Sequence, residues 1–160
     1  MPKRVCLYAR VSKTSQSVER QISELEVVAA RNDWEIVDRY IDHGISGAKG
    51  RDQRHELDRM MKDSTKRKFD VVMVWSIDRL GRSLQNLMEI LNDLKSKNID
   101  LYMDQQAIDT TTPTGSLMFA MIGAFSQFER EMIRERVVSG LDNARKKGRI
   151  GGRPTNLTDE

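Results

Sequence analysis

The chain has 160 residues, 38% hydrophobic and 32% charged, with a formal net charge of +3, an ordinary balance for one globular domain with a single buried core. One cysteine, Cys6, rules out an internal disulfide, and His43 and His55 add too few ligands for a Cys/His zinc cluster, so a reducing, cytoplasmic setting is expected. The longest apolar stretch, Leu117 to Phe128, is broken by Gly123, Ser126 and Gln127 and is too short for a bilayer, which takes about 20 residues; the N-terminus enters a strand rather than a secretory signal.

In chain order, Lys3 to Ala9 reads as a short strand. Val18, Ile22, Leu25 and Ala29 then recur at helical spacing, and Trp34 to Ile41 returns to an extended pattern. His43 to Gln53 is rich in Gly and charge and reads as a loop. Leu57, Met60 and Met61 mark a short helix, and Phe69 to Trp75 a buried strand. Leu84, Leu87, Met88, Leu91 and Leu94 draw an apolar stripe, and Ile99 to Met103 forms a further strand. This alternation predicts an α/β fold, a mostly parallel sheet flanked by helices.

In such sheets ligands gather beyond the carboxyl ends of the strands. Tyr8, Arg10 and Ser12, then Ser46, then Asp78, Arg79 and Arg82 fall at those ends. One hydroxyl and three guanidiniums gathered there could attack a phosphodiester without a metal. Arg10, Arg79 and Arg82 would hold the phosphate oxygens with planar bidentate forks, and Ser12 would be the nucleophile. Asp78 cannot usefully face a phosphate; it orients an arginine, or exchanges a proton with the leaving oxygen. Each residue also has a plainer reading. Tyr8 fits a core position, Ser12 and Ser46 fit turns or helix caps, and Arg79 beside Asp78 fits a surface ion pair.

After Asp104 the pattern changes. Thr112 as N-cap and Pro113 at the first helical position start a helix, and Arg145-Lys146-Lys147-Gly148 offers its stop. About 35 residues would make it roughly 52 Å long. Its first half is apolar nearly all round, through Met118, Met121, Ile122, Phe125 and Phe128, and needs cover on every side, which predicts a homodimer built on this helix. From Glu129 to Arg153, eight basic residues stand against four acidic ones, a local net charge of +4. That basic end suits a polyanion.

The run Tyr8-Ala9-Arg10-Val11-Ser12, the loop Gly44-Ile45-Ser46-Gly47, the run Asp78-Arg79-Leu80-Gly81-Arg82 and the long helix with Phe128-Glu129-Arg130 together resemble the catalytic domain of the serine recombinases, the resolvase/invertase family. The resemblance spans nearly the whole chain, in order. It implies site-specific recombination of double-stranded DNA, with Ser12 forming a transient 5′-phosphoserine linkage, strand exchange within a tetramer, and resealing without metal or nucleotide cofactor. It also implies that Gln16 and Gln21 hold the loop carrying Ser12, that Ser46 and Arg54 belong to the active-site loop, and that Glu129 and Arg130 link the dimer contact to the active site. The chain then divides into residues 1–110, an α/β catalytic domain; 111–148, a dimerising and DNA-contacting helix; and 149–160, a basic linker and the start of a helix-turn-helix domain. Arg130, Arg145, Lys146, Lys147, Arg149 and Arg153 are the candidate DNA contacts. A receiver-type domain would need acidic residues where Arg10 and Ser12 stand, and a nucleotide-binding loop would need glycines between Ser12 and Ser17. A noncatalytic DNA-binding accessory protein of the same fold is the remaining alternative.

Overall fold

Strand β1 (Arg4–Val11) lies inside the sheet, pairing in parallel with β2 (Glu35–His43) on one side and β3 (Val71–Val74) on the other. The structure, a computed structural model, describes residues 1–11, 15–43, 54–81, 83–149 and 151–152, with the backbone alone at 15–17, 84 and 126. Strand β4 (Asp100–Met103) extends the sheet in parallel and β5 (Ile108–Asp109) closes it antiparallel, giving the order β2-β1-β3-β4-β5. The sequence pattern predicts the four parallel strands; the two-residue β5 is too short to leave a periodic signal.

Alternation along the strands separates two cores. Val5, Leu7, Val71 and Met73 face helix α1 (Ser15–Arg31) through Leu25 and Ala29. Cys6, Tyr8, Val72 and Val74 face the opposite way, onto α2 (His55–Thr65) and α4 (Leu84–Ser96) through Leu57, Met60, Leu87 and Leu91. Helix α4 starts where Ser83 accepts a hydrogen bond from the Asn86 amide at 3.1 Å, a regular N-cap. Between β3 and α4 lies a short helix, α3 (Ile77–Leu80), followed by Gly81. A Cβ at Gly81 would stand 2.6 Å from Leu87 Cβ, so only glycine lets α4 approach this turn.

Two compact units divide the chain, Met1–Gly123 and Ala124–Glu160, and helix α5 (Pro113–Lys146) contributes to both. Its start follows the sequence expectation. Thr112 Oγ1 accepts from the Gly115 amide at 3.0 Å and donates to the Asp109 carbonyl at 2.8 Å. At the far end Gly148 adopts φ +72, the left-handed conformation that ends helices. Within the first unit Phe119 and Ile122 pack against the α2–α4 core, so Ile122 is only partly available to a second copy. Leu117, Met118 and Met121 are exposed, as are Phe125, Phe128, Ile133 and Val137 in the second unit. No helix among the described residues is long and apolar enough to cross a membrane.

A Cβ added at Gly115 would sit 1.8 Å from the Asp109 carbonyl oxygen, a backbone atom that cannot swing aside. Gly115→Ala is therefore expected to destabilise the domain by about 1–3 kcal/mol. Urea unfolding checks this, and an unchanged midpoint would mean that the start of α5 readily shifts.

Candidate active site

Strand β1 runs through Val11, two residues past its predicted end, so Arg10, like Tyr8, lies within the strand rather than beyond it. The extension has a pairing cause: Arg10 and Val11 are in register with Asp42 and His43 of the equally long β2. Tyr8 and Arg10 share the face that carries the α2–α4 core, and β1 ends at the residue before Ser12.

The reading of Tyr8 as core or site resolves into a buried polar link. Tyr8 is fully buried, and its hydroxyl donates to Asp42 Oδ2 at 2.8 Å while accepting from the Arg54 guanidinium, with Nε at 3.1 Å. Burial holds the phenol above its usual pKa, so it stays a donor. Arg54 is 1% exposed. Its other bonds reach the Leu80 carbonyl at 2.8 Å and the Arg79 carbonyl at 2.7 Å, and its guanidinium lies over the Tyr8 ring. Arg54 thus holds the backbone of α3 instead of opening to solvent. Asp42 accepts from the Glu56 and Leu57 amides at 3.0 and 3.1 Å, capping α2 from a neighbouring strand because Arg54, at the N-cap position, makes no side-chain cap.

Above this buried layer stand the cations. Arg10 Nη2 donates to the Asp78 carbonyl at 2.6 Å, tying β1 to α3. Burial, reinforced by the nearby charges of Arg54 and Arg79, pulls the Arg10 guanidinium below its usual pKa, though an arginine stays charged at neutral pH. Neither Arg10 Nε nor Arg79 Nε hydrogen-bonds to any described residue. Asp78 is exposed, takes a hydrogen bond from the Ser76 hydroxyl, and holds one carboxylate oxygen 4.0 Å from Arg79 Nε. A group of cations near the strand ends, with buried Nε donors that no described residue fills and too little countercharge, is suited to an anion.

Gln21 is buried on α1. Ser12, Ser46, Arg82 and Arg153 lie outside the described residues, as does the side chain of Gln16. Glu129, Arg130, Arg145, Lys146, Lys147 and Arg149 are exposed along and just beyond the second half of α5. Among the described residues no cluster of His, Cys, Asp or Glu is placed to hold a metal ion.

The sequence reading missed Asp42, Ser76 and Trp75. Asp42 left a faint signal, an acidic residue continuing the inward phase just past an apolar strand; Trp75 read as the last residue of β3, and Ser76 as the residue after it.

A doubly wound α/β domain with arginines grouped near its strand ends and a 34-residue helix suits chemistry on phosphate esters. Comparison with known proteins narrows the class. The family model described as the resolvase N-terminal domain matches residues 5–150. The serine recombinase gin of Escherichia phage Mu is 37% identical over 151 residues, covering 94% of this chain and 72% of the relative. The transposon Tn552 resolvase of Staphylococcus aureus is 35% identical over 155 residues, covering 96% and 73%. Among solved structures, the N-terminal catalytic domain of TP901-1 integrase superposes with a TM-score of 0.74 at 35% identity, over 81% of this chain and 98% of that one. A resolvase family site-specific recombinase from Streptococcus pneumoniae gives 0.71 at 32% identity, over 89% and 99%. The chain belongs to the resolvase family of serine recombinases, enzymes of site-specific DNA recombination.

Two measurements probe the site. Asp42→Ala leaves the Glu56 and Leu57 amides and the Tyr8 hydroxyl without their acceptor, so a loss of about 2–4 kcal/mol is expected in chemical denaturation; a loss under 0.5 kcal/mol would show that the link is not structural. At constant ionic strength, millimolar inorganic phosphate is expected to raise Tm, by about 1 kcal/mol of stabilisation at roughly five times its dissociation constant. Arg10→Ala should remove most of that rise, and an equal rise in the variant would place the anion elsewhere.

Proposed function

We propose that the chain cuts and rejoins double-stranded DNA through Ser12. The Ser12 oxygen attacks a backbone phosphorus, the 3′ oxygen leaves with a proton, and the 5′ phosphate stays on the serine. A 3′ hydroxyl from a partner half-site then attacks the phosphoserine and returns the proton to Ser12. One phosphodiester is exchanged for another, so no outside energy source is needed, and the charge stabilisation invoked comes from arginines rather than a metal. Arg10, Arg79 and Arg82 are the proposed ligands of the pentacoordinate phosphate, an electrostatic contribution that is often the largest in catalysis. The carrying observation is the pair Arg10 and Arg79, held at the ends of β1 and β3 with Nε donors that no described residue fills, where the chain continues into Ser12.

The exposed apolar residues Met118, Met121, Phe125 and Phe128 support a homodimer formed on α5, with a tetramer on activation. Arg130, Arg145, Lys146, Lys147 and Arg149 supply phosphate contacts that position DNA without reading its sequence. Residues 1–110 act as the catalytic segment, 111–148 as the dimerising helix and 149–160 as a basic linker.

On a supercoiled plasmid carrying the native locus, the protein is expected to form a covalent DNA adduct that survives denaturing electrophoresis, and Ser12→Ala to abolish the adduct while DNA affinity stays within about twofold. An adduct persisting in Ser12→Ala would place the nucleophile elsewhere. Binding without an adduct in either protein would favour a noncatalytic accessory role.

A further inference from the structure

Trp75 follows β3 directly and continues its alternation, with Val71 and Met73, toward the face covered by α1. Its indole N–H donates to the Glu24 carboxylate of α1, and the Arg79 guanidinium lies over its ring, 5.9 Å from the centroid. Arg79 is 26% exposed, with Asp78 at the outer limit of an ion pair at 4.0 Å. Its Nε donates to no described residue. The cation is thus located by a ring face rather than by a carboxylate at bonding distance.

The choice of partner matters chemically. A carboxylate would fix the guanidinium but consume its N–H donors and cancel the charge meant for the phosphate. An aromatic face attracts the cation through its quadrupole and leaves the in-plane donors free. Glu24 adds to this, because a carboxylate accepting the indole N–H polarises the ring and makes its face more negative. The Trp75 bond, followed by that to Arg20, holds the Glu24 carboxyl below its usual pKa, which keeps it ionised at neutral pH.

We infer that Trp75 is a positioning residue for the DNA-cleavage step, holding Arg79 ready for the scissile phosphate and itself aimed from α1 by Glu24. The inference rests on the reading of Arg79 as a phosphate ligand. A preset guanidinium avoids reorganisation when charge develops on the phosphate, so Trp75 acts on the chemical step and not on DNA affinity.

The test measures the first-order rate of adduct formation at saturating protein, together with DNA affinity, for wild type, W75F, W75L, E24Q and the W75F/E24Q double variant. W75L is expected to slow the adduct about tenfold with affinity unchanged, and W75F to stay within about threefold because a ring remains. E24Q should slow the wild type about threefold and leave the W75F background unaffected, since phenylalanine has no N–H to donate. If W75L does not fold, the E24Q comparison in the two backgrounds decides the same point. A W75L rate within twofold of wild type, W75F as slow as W75L, an equal E24Q effect in both backgrounds, or affinity falling in step with rate would each overturn the inference. Ser12→Ala, run alongside, keeps the two readings apart: an adduct surviving there overturns the serine chemistry, whereas its loss there with unaffected Trp75 variants overturns the role of Trp75 alone.

Discussion

Placing the Arg54 guanidinium inside the protein is the constraint on which the site's construction depends. Burying a lone cation is very unfavourable, and it becomes tolerable only when every donor finds an acceptor. Here the acceptors are the Tyr8 hydroxyl and the carbonyls of Arg79 and Leu80, with Asp42 closing the chain of bonds from the far side of Tyr8. Four elements are joined in this way, β1, β2, the start of α2 and α3. None can shift alone without leaving a buried polar group unmet, so the turn carrying Asp78 and Arg79 has a fixed place relative to β1.

That rigidity makes the next layer possible. Arg10 and Arg79 are partly exposed and keep Nε donors that no described residue fills. Burial, and after it the charges of Arg54 and Arg79, lowers the Arg10 pKa. Such an arrangement is one that a neighbouring anion would relieve. Arg54 commits its guanidinium to bonds within the fold, whereas the Nε donors of Arg10 and Arg79 meet no described residue, although all three are the same residue type.

Helix α5 shows a different balance. Its start is specified tightly by the Thr112 cap and by Gly115 against the Asp109 carbonyl, and its first turns share the α2–α4 core through Phe119 and Ile122. Further along, large apolar side chains such as Phe125 and Phe128 are exposed. Helix propensity alone stabilises such a segment only weakly, so its apolar surface is better suited to a protein partner than to water.

Much of this was legible in the residues alone. Period-two runs gave the four parallel strands, period-3.6 stripes gave α1, α2 and α4, and local stop and start chemistry at Thr112, Pro113 and Gly148 gave α5 nearly to the residue. The arginine-rich runs after two strands pointed to an anion site. These signals are local, each carried by residues within a turn or two of one another. What the sequence could not carry was which long-range polar partners meet. The bond from Tyr8 to Asp42 spans 34 residues, that from Arg54 to Tyr8 46, and that from Trp75 to Glu24 51. Only the packed sheet and its helices decide such pairings, because a hydrogen bond depends on position in space and leaves no period along the chain. The sequence by itself therefore determined the elements and the charge of the site, while the tertiary structure decided which arginine became scaffold and which kept a donor that no described residue fills.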